Sequence, residues 1–176
     1  MTPTVPVMLI TGPVGVGKTT VASEVSELLD AAGVAHGLVD VDALRWCYPR
    51  HPGDRFRIGL AMKNLAAVWG NFREYGAERL VLADVVESRE ELQRYREAIP
   101  GAEILVVRLR ASPETLAARL RVRELGMALD RHLRRASELA DLMECNRVED
   151  ILVDTDGKGA PECARVILSF SEWERS

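Results

Sequence analysis

The sequence predicts an α/β fold, a parallel sheet covered by helices on both faces. Three observations carry this. Apolar strand-like runs alternate with stretches of helical periodicity along the whole chain. The runs at 78–84 and 103–109 are apolar without strict alternation, as strands buried on both faces are. A glycine-rich segment, GPVGVGKTT at 12–20, sits between the first strand-like run and the first helix.

The first run, Pro6 to Ile10, is strand-like, and Val21 to Leu29 repeats apolar residues at helical spacing. Gly33 is placed to cap that helix. A second strand is expected over 35–39, ending at Asp40-Val41-Asp42, then an irregular connection over 47–54 with two prolines and a glycine. Helical spacing from about 55 to 75 (Ile58, Leu65, Trp69, Phe72) stops at Gly76. The third strand closes at Asp84, and Ser88 with Glu91 forms a capping-box pattern for the next helix, which ends before Pro100. A fourth strand, 104–109, precedes Ser112-Pro113, a cap followed by proline at the first helical position. Gly126 interrupts the pattern, a long helix follows over about 129–145, a fifth strand over 151–154, and a last helix over about 161–170.

With 176 residues, 47% hydrophobic and 28% charged, the chain is expected to form a single domain over 1–176. Its 23 basic and 27 acidic residues give a net charge of −4, which disfavours nucleic acid as the main partner. Cys47, Cys145 and Cys163 lie far apart with no metal-ligand spacing, so reduced, buried or half-buried thiols and a cytoplasmic location are expected. No leader is apparent, nor any run of about 18 apolar residues, so no membrane partner is expected. The monomer and the homodimer both remain open.

The segment Gly12-Pro13-Val14-Gly15-Val16-Gly17-Lys18-Thr19 fits G-x-x-x-x-G-K-[ST], the phosphate-binding P-loop. Glycines let the backbone close around a polyphosphate, and the following helix adds its unsatisfied N–H groups and positive dipole end. Lys18 is placed for the β- and γ-phosphates and Thr19 for Mg²⁺; Thr20 adjoins them. Asp40 and Asp42 alternate on an extended segment and can face one cleft, as anchors for Mg²⁺ or as acceptors of a hydroxyl proton. Asp84 is expected to hold Mg²⁺ or its water across from Thr19, and Glu87 beyond it is a substrate candidate. Arg119 and Arg123, four apart, share a helix face and suit a polyphosphate, whereas Arg121 points elsewhere. With Arg131, Arg134 and Arg135 they make 119–135 an expected Arg-rich helical lid hinged at Gly126. Asp154 and Thr155 begin a turn that can line a base pocket through backbone groups. Trp46 and Tyr48, near Asp40-Val41-Asp42, could stack on a substrate ring but are expected in the core, and Trp69, Phe170 and Trp173 are expected to pack in the core or dock the C-terminus.

This succession (GPVGVGKTT, DVD at 40–42, a strand ending at Asp84, Arg119 and Arg123, VDT at 153–155) resembles the small P-loop kinases. That group holds gluconate kinase, shikimate kinase, adenylylsulfate kinase, chloramphenicol phosphotransferase and the nucleoside monophosphate kinases. The resemblance implies a three-layer P-loop NTPase fold with a five-stranded parallel sheet, ATP and Mg²⁺ as cofactors, and γ-phosphoryl transfer to a small-molecule acceptor. It implies that 12–19 hold the ATP phosphates, that Asp42 is the substrate-side acid and that Arg119 is the lid arginine. The glycine triplet that shikimate kinase carries after strand three is missing. Region 43–75, where such kinases read their acceptor, matches no known signature, but Arg45, Arg55 and Arg57 there suit an anionic one. The alternatives are a nucleoside monophosphate kinase and a nucleotide-binding module without transferase activity. A GTPase would need N-K-x-D, which none of Asn64, Asn71 and Asn146 begins, and the acidic balance disfavours a polynucleotide 5′-kinase.

Overall fold

Each strand of a parallel sheet must bury both its faces, so its helices divide into two layers. In the computed structural model, which describes residues 3–48, 51–123, 127–171 and 173 (at 123, 127 and 128 the backbone only), that division is plain along the first strand. β1 (Val5–Thr11) sends Met8 and Ile10 to one face and Val5, Val7 and Leu9 to the other. On the Met8 face lie α1 (Lys18–Ala31), through Val21, Ala22, Val25 and Leu29, and α6 (Ala160–Phe170), through Cys163, Ala164, Ile167 and Leu168. On the other face lie α2 (Ile58–Glu74), through Ala61, Leu65 and Trp69, and α3 (Leu92–Ala98), through Leu92, Tyr95 and Ala98.

The remaining strands are β2 (His36–Asp40), β3 (Arg79–Ala83), β4 (Ala102–Arg110) and β5 (Ile151–Asp154). All pair in parallel in the order β2-β3-β1-β4-β5. The chain goes from β1 to the edge strand β2, returns to β3 beside β1, and then crosses to β4 and β5 on the other side, which places a crevice at the carboxyl ends of the central strands. Asp40 closes β2, Asp84 follows β3 and Asp154 closes β5, so the acids read from the sequence lie along that edge. α4 (Pro113–Arg123) and α5 (Met127–Asn146) form the connection from β4 to β5. The expected hinge at Gly126 lies outside the described residues.

The local start and stop signals explain the boundaries. The Val34 N–H reaches the Leu29 carbonyl at 2.9 Å around Gly33 (φ 71°), closing α1, and Ala77 does the same to Phe72 at 3.0 Å around Gly76, closing α2. Ser112 Oγ accepts the Thr115 N–H at 3.2 Å and caps α4. α2 starts three residues later than its periodicity predicts. Arg57 adopts φ 53°, and Asp54 Oδ2, from outside the helix, accepts the Leu60 N–H at 3.0 Å. Before α3 a 3₁₀ turn, Arg89–Glu91, takes the first helical positions, and Glu91 Oε1 receives the Glu87 N–H rather than that of Ser88. Among the described residues no helix is long and apolar enough to cross a membrane.

Candidate nucleotide and acceptor site

The loop between β1 and α1 is shaped by its glycines. A Cβ on Gly12 would stand 2.5 Å from the Leu109 carbonyl oxygen, so only glycine lets β1 leave the sheet this close to β4. At Gly17, the residue before α1, φ is 103° and a Cβ would meet nothing within 4 Å; its left-handed backbone turns α1's first N–H groups toward open space. α1 carries no acid of its own in its first turn. Lys18 Nζ donates to the Gly12 and Pro13 carbonyls at 3.1 and 3.2 Å, which holds the ammonium over the loop.

Beside this loop is a cavity of about 400 Å³ lined by Gly15, Val16, Gly17, Thr20, Val21, Arg119, Val122, Thr155, Lys158, Ala160 and Cys163. Arg119 is its organiser. One guanidinium nitrogen donates to the Val16 carbonyl and to Thr155 Oγ1, both at 2.9 Å, and the other to the Thr155 carbonyl at 3.1 Å. Arg119 therefore joins the P-loop to the loop after β5 at the wall of the cavity. The backbone of Arg123 continues α4 one turn on; its side chain lies outside the description. Arg121 is exposed. Asp154 does not line the cavity: its carboxylate takes the Asp156 N–H at 2.9 Å and Arg110 at 3.2 Å, and its carbonyl accepts Lys158 Nζ at 3.1 Å.

On the other side of α1's first turn, Thr19 Oγ1 donates to Asp40 Oδ2 at 2.7 Å. Asp40 stands where the sequence reading put Asp84. The second oxygen of Asp40 accepts the Asp42 N–H at 3.0 Å and so fixes the turn that carries Asp42, whose side chain is half exposed and open to the cleft. A hydroxyl and a carboxylate at hydrogen-bond distance are hard oxygen donors that fit Mg²⁺, which takes one or two protein ligands and completes its shell with water and phosphate. Among the described residues no cluster of three or more His, Cys, Asp or Glu could hold a metal without such help.

Asp84 is almost fully buried, with both oxygens engaged by protein donors: Arg45 Nη2 at 2.8 Å and the Val85 N–H at 2.8 Å on one, Tyr95 Oη at 2.5 Å on the other. Burial pushes its carboxyl above the usual range, against the opposing pull of Arg45 and Tyr95. Arg45 also lies 3.4 Å from Asp42, so a contact chain runs from Tyr95 through Asp84 and Arg45 to Asp42. Tyr95 and Arg94, whose guanidinium lies 5.2 Å from the Tyr95 ring, were not foreseen, because nothing in the helical pattern of α3 marks a tyrosine with a polar partner. Glu87 pairs with Arg135 on α5 and accepts Asn146 Nδ2 at 2.6 Å through its carbonyl. It ties α5 to the end of β3.

Three other expectations are corrected. Trp46 and Tyr48 are 81% and 85% exposed rather than core, because the turn at 43–45 carries them out past α2. Cys47 and Cys145 are exposed, and only Cys163 is buried. Phe170 is largely exposed, whereas Trp173 is buried against Arg79, whose Nη1 donates to its carbonyl at 2.6 Å.

The P-loop geometry and the five-stranded parallel order meet their counterpart in the sequence profile of the AAA domain, which matches residues 8–152. The chain belongs to the AAA domain family. No curated protein sequence matches it. Solved structures that resemble it include the tunicamycin resistance protein of Deinococcus radiodurans (TM-score 0.65, 20% identity, 94% of each chain). A gluconokinase from Sinorhizobium meliloti has a TM-score of 0.62 at 22% identity over 93% of this chain and 90% of that one. A shikimate kinase from Acinetobacter baumannii, determined with shikimate, has 0.58 at 18% identity over 94% and 92%. At such identities the likeness establishes a shared fold, that of the P-loop NTPases. This member of the AAA domain family thus has a P-loop kinase fold whose structural neighbours include small-molecule kinases.

Proposed function

We propose that the protein is an ATP-dependent kinase that transfers the γ-phosphoryl group to a hydroxyl of a small molecule. It would act as one domain, with 119–135 as a lid and 43–75 reading the acceptor. The observation that carries this is the division of labour between two neighbouring carboxylates. Asp40 is held against the P-loop threonine, while Asp42, two residues on, is open and flanked by Arg45.

The N–H groups of the P-loop and of α1 would hold the ATP phosphates, with Lys18 on the β- and γ-oxygens. Thr155 and the neighbouring cavity wall would take the base, and Arg119 with Arg123 would supply positive charge on the nucleotide side. Thr19 and Asp40 would hold Mg²⁺, which supplies charge neutralisation across the β- and γ-phosphates. Asp42 would accept the acceptor's hydroxyl proton as the oxygen attacks the γ-phosphorus and the bond to the β-bridging oxygen breaks, leaving ADP. Arg45 keeps that carboxylate in place, and Asp84 with Tyr95 keeps Arg45 in place.

The test is ATP consumption with Mg²⁺ against pooled nucleosides, nucleoside monophosphates, sugar acids and antibiotic alcohols. Stimulation by one pool is expected. Lys18→Ala should lower it at least about a hundredfold, as loss of a preorganised charge donor does. Asp42→Asn should also lower it about a hundredfold or more. ATP consumption that persists in Lys18→Ala would overturn the reading, and tight ATP binding that no pool stimulates would favour a binding module.

A further inference from the structure

A second cavity, about 610 Å³, opens between the chain after the 3₁₀ turn (Ala43–Arg45) and the start of α2. Its walls include Cys47, Asp54, Arg57, Leu60 and Lys63. Two bonds tie its walls to the turn that follows Asp42. Asn64, one turn beyond Leu60 on the same face of α2, donates Nδ2 to the Leu44 carbonyl at 2.8 Å, and the Cys47 N–H reaches the Arg45 carbonyl at 2.9 Å. A volume of several hundred cubic ångströms is that of a small-molecule site.

The charge in this cavity does not cancel. Its only carboxylate, Asp54, accepts the Leu60 N–H at 3.0 Å, and the backbone donors of α2's first turn hold its carboxyl below the usual range. Asp54 is thus committed to the helix N-terminus. His51 Nδ1 accepts the Gly53 N–H at 3.2 Å. Two cations remain, Arg57 and Lys63, neither with an ion-pair partner among the described residues. Arg57 is also held in the left-handed region at φ 53°, its guanidinium 5.3 Å from the Tyr48 ring and its Nε buried without a hydrogen-bond acceptor. Non-glycine backbone in that region is kept only where the surroundings impose it.

We propose that this cavity is the acceptor site and that the acceptor is an anion, an alcohol bearing a carboxylate or a phosphate group held by Arg57 and Lys63 with its hydroxyl toward Asp42. The proposal rests on the kinase reading for the word acceptor, but its binding half can be tested without turnover. Cys47 lies in the cavity wall and is exposed, and of the other thiols only Cys145 is also exposed. In a Cys145→Ser background, alkylation of Cys47 by neutral iodoacetamide, followed by mass spectrometry, reports occupancy of the cavity.

The probes are D-gluconate, glucose 6-phosphate and neutral sorbitol, each also offered as acceptor with Mg·ATP. Protection by gluconate or by glucose 6-phosphate, and not by sorbitol, is expected, and the one that protects names the anionic group. Lys63→Gln, on an exposed helix position that tolerates the change, should weaken protection about tenfold or more, the scale of one charge-assisted contact, and Arg57→Gln likewise. Equal protection by sorbitol, no protection by either anion, or protection unchanged in both variants would overturn the proposal. Protection without any ATP consumption would leave the anion site standing and remove the kinase reading. Phosphorylation of sorbitol with no protection by the anions would do the reverse.

Discussion

At the scale of single residues, the acids at the carboxyl edge of the sheet differ by what their oxygens touch. Asp40 spends one oxygen on a side-chain hydroxyl and one on a backbone N–H, and it adjoins the P-loop. Asp84 is buried with three donors and no open lone pair toward the loop. The two should therefore separate in a binding experiment. Calorimetry of ATP binding as Mg²⁺ is titrated should show the Mg²⁺-dependent gain in affinity falling at least about tenfold in Asp40→Asn, the lower end of what a lost metal partner costs. Asp84→Asn should keep that gain. It should instead lower unfolding stability in urea by about 1–3 kcal/mol, because the Arg45 and Tyr95 donors lose a charged acceptor. The opposite pattern would return the metal to Asp84. The P-loop was legible in the sequence because all its parts are contiguous. Thr19 and Asp40 were both read as Mg²⁺ candidates, but their direct contact was not, because it depends on how β2 is set against α1, and the Asp84 network joins residues 39 and 11 positions away.

At the scale of elements, the strands were legible because burial on both faces leaves continuous apolar runs, and most helix ends because Gly33, Gly76 and Ser112 act locally. What escaped was set at a distance. α2 begins where Asp54 reaches back to Leu60, and α5 lies where its charges find partners on other elements. Arg108, buried on β4, donates at 2.8 Å to Glu144 on α5 and at 2.9 Å to Glu149. Hydrogen bonding and proximity to Arg108 hold the Glu144 carboxyl below the usual 4.5 of a glutamate. A carboxyl lowered on folding adds stability that is present above its unfolded value and lost as pH falls through its folded value. On acidification from pH 6 through the region below about 4.5, the wild type should lose this contribution, whereas Glu144→Gln, which never has it, should show a shallower fall in melting temperature. Parallel curves for the two proteins would mean that Glu144 does not tether α5.

At the scale of the whole molecule, a chain of net charge −4 gathers Lys18, Arg119 and the N–H groups of α1's first turn at one edge of the sheet, where anions would bind. α4 is joined to that edge directly: Leu120, fully buried, packs on Gly15, whose added Cβ would stand 2.9 Å from Leu120 Cγ, and Arg119 links the P-loop to the loop after β5. A nucleotide held there would touch the P-loop, α1, α4, the β5–α6 connection and the start of α6 at once, so its binding should register in global unfolding. Binding to the folded state alone at a hundred times Kd stabilises by about 2.7 kcal/mol. For a domain of this length each kcal/mol raises the melting temperature by about 2–4 °C, so saturating Mg·ATP should raise it by roughly 5–10 °C. Lys18→Ala should lose most of that shift, since its ammonium sits over the loop on the Gly12 and Pro13 carbonyls. A wild type that melts at the same temperature with and without Mg·ATP would remove the nucleotide from this site, and with it the assignment of Asp42 as a phosphoryl-transfer base. A shift that survives Lys18→Ala intact would place the stabilising contacts on the base side, at Arg119 and Thr155, and Arg119→Gln would then be the variant that loses it.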